Sequence, residues 1–169
     1  MKNISVMFRS LITWGDDCIT LEKELIFINA FLDVQKYNMN NKVDINLDID
    51  EKAKKCIIPK MTVQVFVENA FVHGLESIYE NRCFSLSARV CGERLTIKIS
   101  DNGEGMPAEI TNALNSGDKD GIKEALHGIG IKNVLARLSL YFDSDFKIFL
   151  SSVPFESTEI TLILPVKTN

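Results

Sequence analysis

The sequence predicts a two-layer α/β sandwich, in which a mixed, mostly antiparallel sheet carries helices on one face. Two observations lead to this fold class. Five segments alternate apolar and polar residues with a period of two, as strands do when one face is buried and the other is wet. Segments with apolar residues at helical spacing lie before and between them. A sheet covered on both faces would instead show continuous apolar runs.

The first half of the chain is predicted to hold three helices and one strand. Apolar residues recur at helical intervals within residues 1–18. Thr20 can cap a second helix, which the polar run that begins at Asn38 ends. Residues 43–50 alternate cleanly and predict a strand. Pro59 can begin a third helix, because its missing N–H would have no partner there, and Gly74 can end it.

The second half is predicted to complete the sheet. A hairpin is expected around the turn 91–94, and the last two strands follow a helix over 129–141. The polar stretch 107–126 has weak periodicity and is expected to be a mobile lid, with a short helix near 108–115. The four predicted strands of this half are residues 84–90, 95–100, 146–150 and 158–164.

Length, net charge and composition exclude several classes of protein. A length of 169 residues suits one domain with one core. The net charge of −4, without a basic cluster, argues against a nucleic-acid binder. No apolar run approaches a membrane span and no secretion signal is visible, so direct membrane contact is not expected. The cysteines lack metal-binding spacing. We expect a cytosolic protein with reduced thiols at Cys18, Cys56, Cys83 and Cys91.

Residues 101–107, Asp-Asn-Gly-Glu-Gly-Met-Pro, are the most informative stretch. They follow an alternating run, so Asp101 stands at a strand end. An ionised carboxylate is purely an acceptor, which suits the exocyclic amine of adenine. Gly103 and Gly105 can adopt backbone angles closed to other residues and let the chain approach a flat ring. Because Asp-Asn-Gly is also good turn chemistry, the stretch taken alone leaves a simple turn equally open.

Two further segments carry polar or glycine residues at helical positions. The predicted helix from Pro59 carries the polar residues Glu68, Asn69 and His73 in its mostly apolar second half, and the last two are four apart and share one face. The third segment places glycines at 128 and 130, around Ile129, directly before a helix. Free backbone N–H groups and the positive end of the helix dipole make such a junction a cradle for phosphate.

These three segments, in this order, resemble the N, G1 and G2 boxes of histidine-kinase ATP-binding domains, which share the GHKL superfamily with gyrase, the heat-shock ninety chaperones and the MutL repair proteins. The details are most similar to sensor kinases of the LytS/YesM type, whose N box reads P-x-x-x-x-Q-x-x-V-E-N-A-x-x-H-G. Residues 59–74 match that spacing, and residues 19–36 resemble the helix that precedes the domain. The resemblance covers about Ile19 to Val166 and implies the Bergerat-type ATP-binding fold.

The resemblance implies a site for ATP and Mg²⁺. Asp101 would accept the adenine amine and Met106 would cover the base. Asn69 would hold Mg²⁺ through its side-chain oxygen, since this ion takes few protein ligands besides water and phosphate. An asparagine hydrogen-bonded within the core is the alternative. The other expected nucleotide contacts are Gly103, Gly105, Gly128, Ile129, Gly130, Lys132, Asn133 and Thr158.

Glu68 and His73 are the catalytic candidates. In related ATPases the glutamate beside the metal residue orients a water, whereas a kinase transfers to a histidine on another domain, so a structural ion pair stays open for Glu68. His73 could reach a phosphate, with a core or surface histidine equally open. Many related kinases have a basic residue where this chain has Val72. His73 or a lid lysine, Lys119 or Lys123, would have to replace it.

One departure from the family pattern concerns the last turn. Related domains often place a glycine before the final strand, where this chain has Phe155-Glu-Ser-Thr158. Only Thr158 keeps the pattern. We therefore expect a different turn, with little effect on the nucleotide.

The resemblance implies the ATP-binding catalytic domain of a sensor histidine kinase in residues 19–169, with residues 1–18 as the tail of a dimerisation helix or a linker. His73 and His127, the only histidines, lie inside the boxes. We therefore expect this chain to bind Mg-ATP without phosphorylating itself, the acceptor histidine lying on the parent's dimerisation domain. The parent is expected to be a homodimeric receptor of the bacterial cell membrane that contains this domain in the cytoplasm. It would pass the phosphoryl group to a response-regulator receiver domain.

Two other functions remain open from the sequence. One is a serine kinase of the same fold that acts on a sigma-factor antagonist. The helix over 19–36 and the N-box spacing favour the histidine kinase over it. The other is a scaffold whose ATP site is degraded, and the retention of Asp101, Asn69 and the box glycines speaks against it.

Overall fold

The computed structural model describes residues 17–116 and 129–168. Its strands are β1 Cys18–Thr20, β2 Val43–Ile49, β3 Ile57–Pro59, β4 Arg82–Cys91, β5 Arg94–Asp101, β6 Lys147–Val153 and β7 Ser157–Pro165. Its helices are α1 Leu21–Asn38, α2 Glu51–Lys54, α3 Gln64–Asn69, α4 Ala108–Ser116 and α5 Ile129–Phe142. A π-helical turn, Ala70–Leu75, continues α3, and we call residues 64–75 the site helix.

The main sheet has the order β2-β4-β5-β7-β6. β2 and β4 are parallel, and the other neighbours are antiparallel. On β5, Leu95, Ile97 and Ile99 are buried, whereas Lys98 between them is exposed. The period-two pattern therefore buries one face of the sheet, and the predicted two-layer α/β architecture is confirmed.

The core lies between this face and the helices. The ring of Phe71 in the site helix meets Phe31 of α1 edge-on at 5.8 Å between centroids. On its other side it meets Phe84 of β4 at 5.0 Å. Val134 and Leu138 of α5 are completely buried. These contacts fix the site helix between α1 and the sheet.

The helices and strands predicted after residue 19 are present near their expected bounds, apart from the one that was to begin at Pro59. Thr20 caps α1 as predicted, since its Oγ1 accepts the Lys23 N–H at 3.4 Å. Among the described residues, no helix combines the length and the apolar character that crossing a bilayer requires.

The predicted helix start at Pro59 is wrong. Pro59 ends β3 and pairs with Cys18 of β1. The chain then turns through Met61, whose φ is 60°, and α3 begins only at Gln64. The helix also runs one residue past the predicted end at Gly74, because the wider π turn continues to Leu75. Three-residue strands are too short to show a periodic signal, so β1 and β3 were not predicted.

Several predictions fall outside the described residues. They are residues 1–16 of the helix expected within residues 1–18, the part of the expected lid at 117–126, and Gly128. Cys18, at the end of that expected helix, begins β1 instead. The remainder of the lid stretch holds α4. Its Asn115 side chain bonds both backbone groups of Leu150 on the edge strand β6, at 2.6 and 2.9 Å.

Candidate functional site

Six of the residues predicted for the nucleotide site line one cavity between the site helix and the ends of β5 and β7. The predicted residues that line it are Asn69, His73, Asp101, Gly105, Met106 and Thr158. The residues that complete the lining were not assigned from the sequence, and they are mostly apolar: Phe66, Ala70, Gly74, Ile99 and Ile160. An apolar floor with one carboxylate suits a flat, partly polar ring.

The cavity is small in this state. Its volume is about 40 Å³, whereas ligand sites commonly enclose about 300–1,000 Å³. A nucleotide base can therefore enter only if part of the lining moves. Met106 is half-buried there, and an unbranched side chain with three rotatable bonds adapts to such a change.

Asp101 supplies the buried carboxylate of the cavity. It ends β5 on the same face as Ile97 and Ile99, and it lies opposite Thr158 of β7. Its Oδ1 accepts the Gly103 N–H at 2.9 Å. Burial raises the pKa of Asp101 to about 6, and the Gly103 N–H offsets part of this shift. Within the described residues no donor bonds Oδ2, so that oxygen can accept a ligand's N–H.

The glycines after Asp101 allow close approach of three backbone segments. A Cβ on Gly103 would lie 2.4 Å from the Cα of Gly74. Gly105 has a φ of 67°, and a Cβ there would lie 2.2 Å from the carbonyl oxygen of Val153. No other residue would leave this backbone unchanged.

Side chains that the sequence did not single out hold the loop 102–106. Asn102 accepts the Cys83 N–H at 2.7 Å and donates to the Asn81 carbonyl at 2.6 Å. Ser152 Oγ accepts the Met106 N–H at 2.8 Å and lies 3.2 Å from Thr158 Oγ1. A serine on an alternating strand reads as an outer-face residue, so the sequence carried no signal for Ser152.

Thr158 is buried and its hydroxyl is engaged by Ser152. In the turn before β7, Phe155 has a φ of 64° and donates its N–H to the Glu104 carbonyl at 2.6 Å. The turn thus places Phe155, whose backbone conformation is left-handed, against the loop that follows Asp101.

Asn69 and His73 lie on the wall of the cavity that the site helix forms. Asn69 is half-buried, and its side chain has no hydrogen-bond partner in residues 17–116 or 129–168. Its amide oxygen is thus available to a hard cation such as Mg²⁺. His73 is exposed.

Glu68, Lys132 and Asn133 do not line the cavity. Glu68 accepts the Gln64 Nε2–H at 2.8 Å, and no lysine or arginine of the described segments forms an ion pair with it. Lys132 and Asn133 belong to the first turns of α5, where a Cβ on Gly130 would lie 3.0 Å from Val65 of α3. Gly130 therefore packs directly on the site helix.

Comparison with known proteins agrees with this geometry. Residues 57–168 match the family of histidine kinase-, DNA gyrase B- and HSP90-like ATPases. The chain is 25% identical to the sensor histidine kinase YesM of Bacillus subtilis over 167 residues, which are 99% of this chain and 27% of that protein. It is 30% identical to the sensor histidine kinase BtsS of Escherichia coli over 165 residues, 98% of this chain and 27% of that protein.

A solved structure shares the fold. The catalytic domain of the histidine kinase ThkA superposes with a TM-score of 0.62 at 12% identity, over 90% of this chain and 97% of that domain. The family match covers the site helix, the strand that ends at Asp101 and the start of α5. The curated relatives that match nearly all of this chain are sensor histidine kinases. The chain therefore belongs to the histidine kinase-, DNA gyrase B- and HSP90-like ATPase family.

Proposed function

We propose that this chain binds ATP with its adenine in the cavity beside Asp101. The observation that carries the proposal is the buried Asp101 carboxylate: one oxygen accepts the Gly103 N–H, and the other meets no donor among the described residues. A donated hydrogen bond from the adenine amine would offset the cost of burying that charge. Met106 and Ile160 would cover the faces of the base, since both line the cavity.

The polar end of the nucleotide would lie toward Asn69. Its amide oxygen, which has no partner in the described parts of the chain, fits a magnesium ligand, and bound Mg²⁺ would neutralise part of the phosphate charge. His73, on the same wall, would lie near the phosphates. The first turn of α5, with Gly130, Lys132 and Asn133, would supply N–H groups and charge there. Glu68 would then be a catalytic residue next to Asn69, and its hydrogen bond from Gln64 would hold its side chain in place.

The chain spans about a quarter of the length of the sensor kinases it matches. We propose that residues 19–169 supply Mg-ATP for phosphorylation of a histidine on a dimerisation domain elsewhere in a homodimeric parent. Residues 1–18 would be the tail of that domain's helix or a linker. The parent would transfer the phosphoryl group to a response-regulator receiver domain. Its sensor part would lie in the bacterial cell membrane and this domain in the cytoplasm.

Calorimetric titration with ATP and with GTP, each with and without Mg²⁺, tests the proposal. Guanine carries an acceptor oxygen where adenine carries the amine, so it would leave the buried carboxylate without a donor. GTP is therefore expected to bind at least about tenfold more weakly than ATP. Mg²⁺ is expected to strengthen ATP binding. Equal affinities for the two nucleotides would contradict the role of Asp101.

Phosphoryl transfer can be tested separately. This chain, mixed with [γ-³²P]ATP and a dimerisation domain that carries the acceptor histidine, is expected to label that domain. The chain alone is expected to remain unlabelled. Labelling of a serine substrate in place of the histidine domain would contradict the histidine-kinase proposal.

A further inference from the structure

Glu24 is a buried carboxylate that is not part of the cavity lining. It lies on the inner face of α1 with 1% of its surface exposed. Its Oε1 accepts two backbone N–H groups, from Val63 at 2.8 Å and from Gln64 at 2.9 Å. Glu24 therefore contacts the first turn of the site helix across about 40 residues of sequence.

The site helix needs such an acceptor. Its N-cap position is Val63, which has no side-chain oxygen, and the first N–H groups of a helix have no partner within the helix. At the other end, buried Arg82 donates its Nε–H to the Leu75 carbonyl at 3.0 Å. A negative charge at the start and a positive charge at the end both suit the helix dipole. Glu24 and Arg82 thus bond the two ends of the site helix, although neither residue belongs to it.

Contacts lead from Glu24 to the groups of the site. Gln64, whose N–H bonds Glu24, uses its side-chain amide to bond Glu68, and Asn69 is the next residue. Arg137 of α5 donates to the Met61 carbonyl in the turn that precedes the helix, at 3.4 Å. Glu24 thus lies where α1, the site helix and α5 meet.

This arrangement is costly for folding. Three buried polar atoms have no hydrogen-bond partner in the described part of the chain: Glu24 Oε2, Gln64 Oε1 and Arg137 Nε. Burial raises the pKa of Glu24 to about 7, although the two N–H groups and Arg137 oppose the shift. An apolar side chain here would leave the Val63 and Gln64 N–H groups without their acceptor, so it would also lower the stability of the fold.

We propose that Glu24 is a positioning residue of the nucleotide site, which sets the place of Asn69 and Glu68 by fixing the first turn of the site helix. This inference rests on the proposed function, in which the site binds Mg-ATP. Loss of the carboxylate would allow the first turn of the site helix to move. Because ligands are held at distances of a few ångströms, a small shift of Asn69 would weaken the binding of Mg-ATP.

Two substitutions and one control test the proposal. Glu24→Met removes the acceptor and keeps the volume, and Glu24→Gln keeps an acceptor oxygen without the charge. Leu25→Ala, at the neighbouring buried position on α1, removes core packing but leaves Glu24 in place. Each protein is measured for thermal unfolding, for Mg-ATP affinity by calorimetry, and for amide hydrogen exchange of residues 63–75 without nucleotide.

The expected pattern separates positioning from stability. Glu24→Met should bind Mg-ATP about tenfold more weakly and exchange faster at residues 63–75, whatever its unfolding temperature. Glu24→Gln should stay within about twofold of the wild type, because its amide oxygen can accept the same N–H groups. Leu25→Ala should unfold at a lower temperature and keep its affinity.

Two results would overturn the proposal. One is a loss of affinity that follows the unfolding temperature across all three variants. The other is unchanged exchange of residues 63–75 in Glu24→Met, and this result needs no nucleotide. If the wild-type chain itself failed to bind ATP, the proposed function would be wrong, and the exchange data would still decide whether Glu24 fixes the helix.

Discussion

Gly74 lies so close to the carboxylate of Asp101 that a Cβ at position 74 would stand 2.5 Å from Oδ1. Gly74 belongs to the π turn of the site helix, and Asp101 ends β5. The same oxygen accepts the Gly103 N–H at 2.9 Å. The direction of the second carboxylate oxygen, Oδ2, is therefore set by backbone on two sides.

Gly74→Ala is expected to weaken ATP binding by about tenfold or more, because the added methyl group must displace the carboxylate from its place. Calorimetry with Mg-ATP measures the effect. Gly92→Ala is the control. Gly92 has a φ of 58° in the β4–β5 turn, with no atom within 4 Å of an added Cβ. That variant should lose stability and keep its affinity. Wild-type affinity in Gly74→Ala would contradict the assignment of Asp101.

Asp101→Asn is expected to bind ATP at least about tenfold more weakly, because its amide can present a donor where the adenine amine needs an acceptor. The matched control is Asp44→Asn, which changes an exposed carboxylate on β2 in the same way. That control should bind as the wild type does. If the wild type and the two variants bound ATP with comparable affinity, Asp101 would not be the residue that recognises adenine.

The same substitution is expected to change the pH dependence of stability. Burial raises the pKa of Asp101 from its ordinary value of 3.8 to about 6. The folded state thus holds this proton more tightly than the unfolded chain. The free energy of unfolding that Asp101 contributes is greatest below pH 3.8 and is lost as the pH rises through about 6.

Asp101→Asn removes this titration. The free energy of unfolding of the variant minus that of the wild type should rise by roughly 2–3 kcal/mol between pH 4 and pH 7. Denaturant unfolding at several pH values measures it, since other groups titrate in both proteins and cancel. A difference that stays constant or falls with pH would contradict the raised pKa.

The strands and long helices were predictable because their patterns are local. Lys98 stands exposed between buried Ile97 and Ile99, and that alternation is visible in the sequence. The position of Asp101 at the end of the same pattern followed directly. Thr20 as a cap was equally local, since the bond it accepts comes from Lys23.

The missed features depend on contacts between distant parts of the chain. Pro59 reads as a helix start, yet its pairing with Cys18 makes it the end of β3. Glu24 stands in a helix rich in exposed charges, and only tertiary structure shows that it caps another helix. The apolar floor of the cavity reads as ordinary core, because Phe66 and Ile160 follow the same periodicity as residues that meet no ligand.

Asn69→Ala is expected to abolish the dependence of ATP affinity on Mg²⁺, because the amide oxygen that would hold the ion is removed. Titrations with ATP in Mg²⁺ and in excess chelator measure that dependence. Asn46→Ala, at an exposed position on β2, is the control and should keep it. A variant at position 69 whose affinity still rises with Mg²⁺ would exclude Asn69 as the magnesium ligand.

Phe155→Gly is expected to stabilise the fold by about 0.5–1 kcal/mol, measured as a rise in the unfolding temperature. Phe155 has a φ of 64°, and its side chain is 86% exposed, so the substitution relieves left-handed strain and removes little packing. The neighbouring Glu156→Gly is the control. It should lower the unfolding temperature, because there a glycine adds only disorder to the unfolded chain. ATP affinity should not change in either variant. A lower unfolding temperature for Phe155→Gly would mean that the ring stabilises the turn more than its backbone conformation costs.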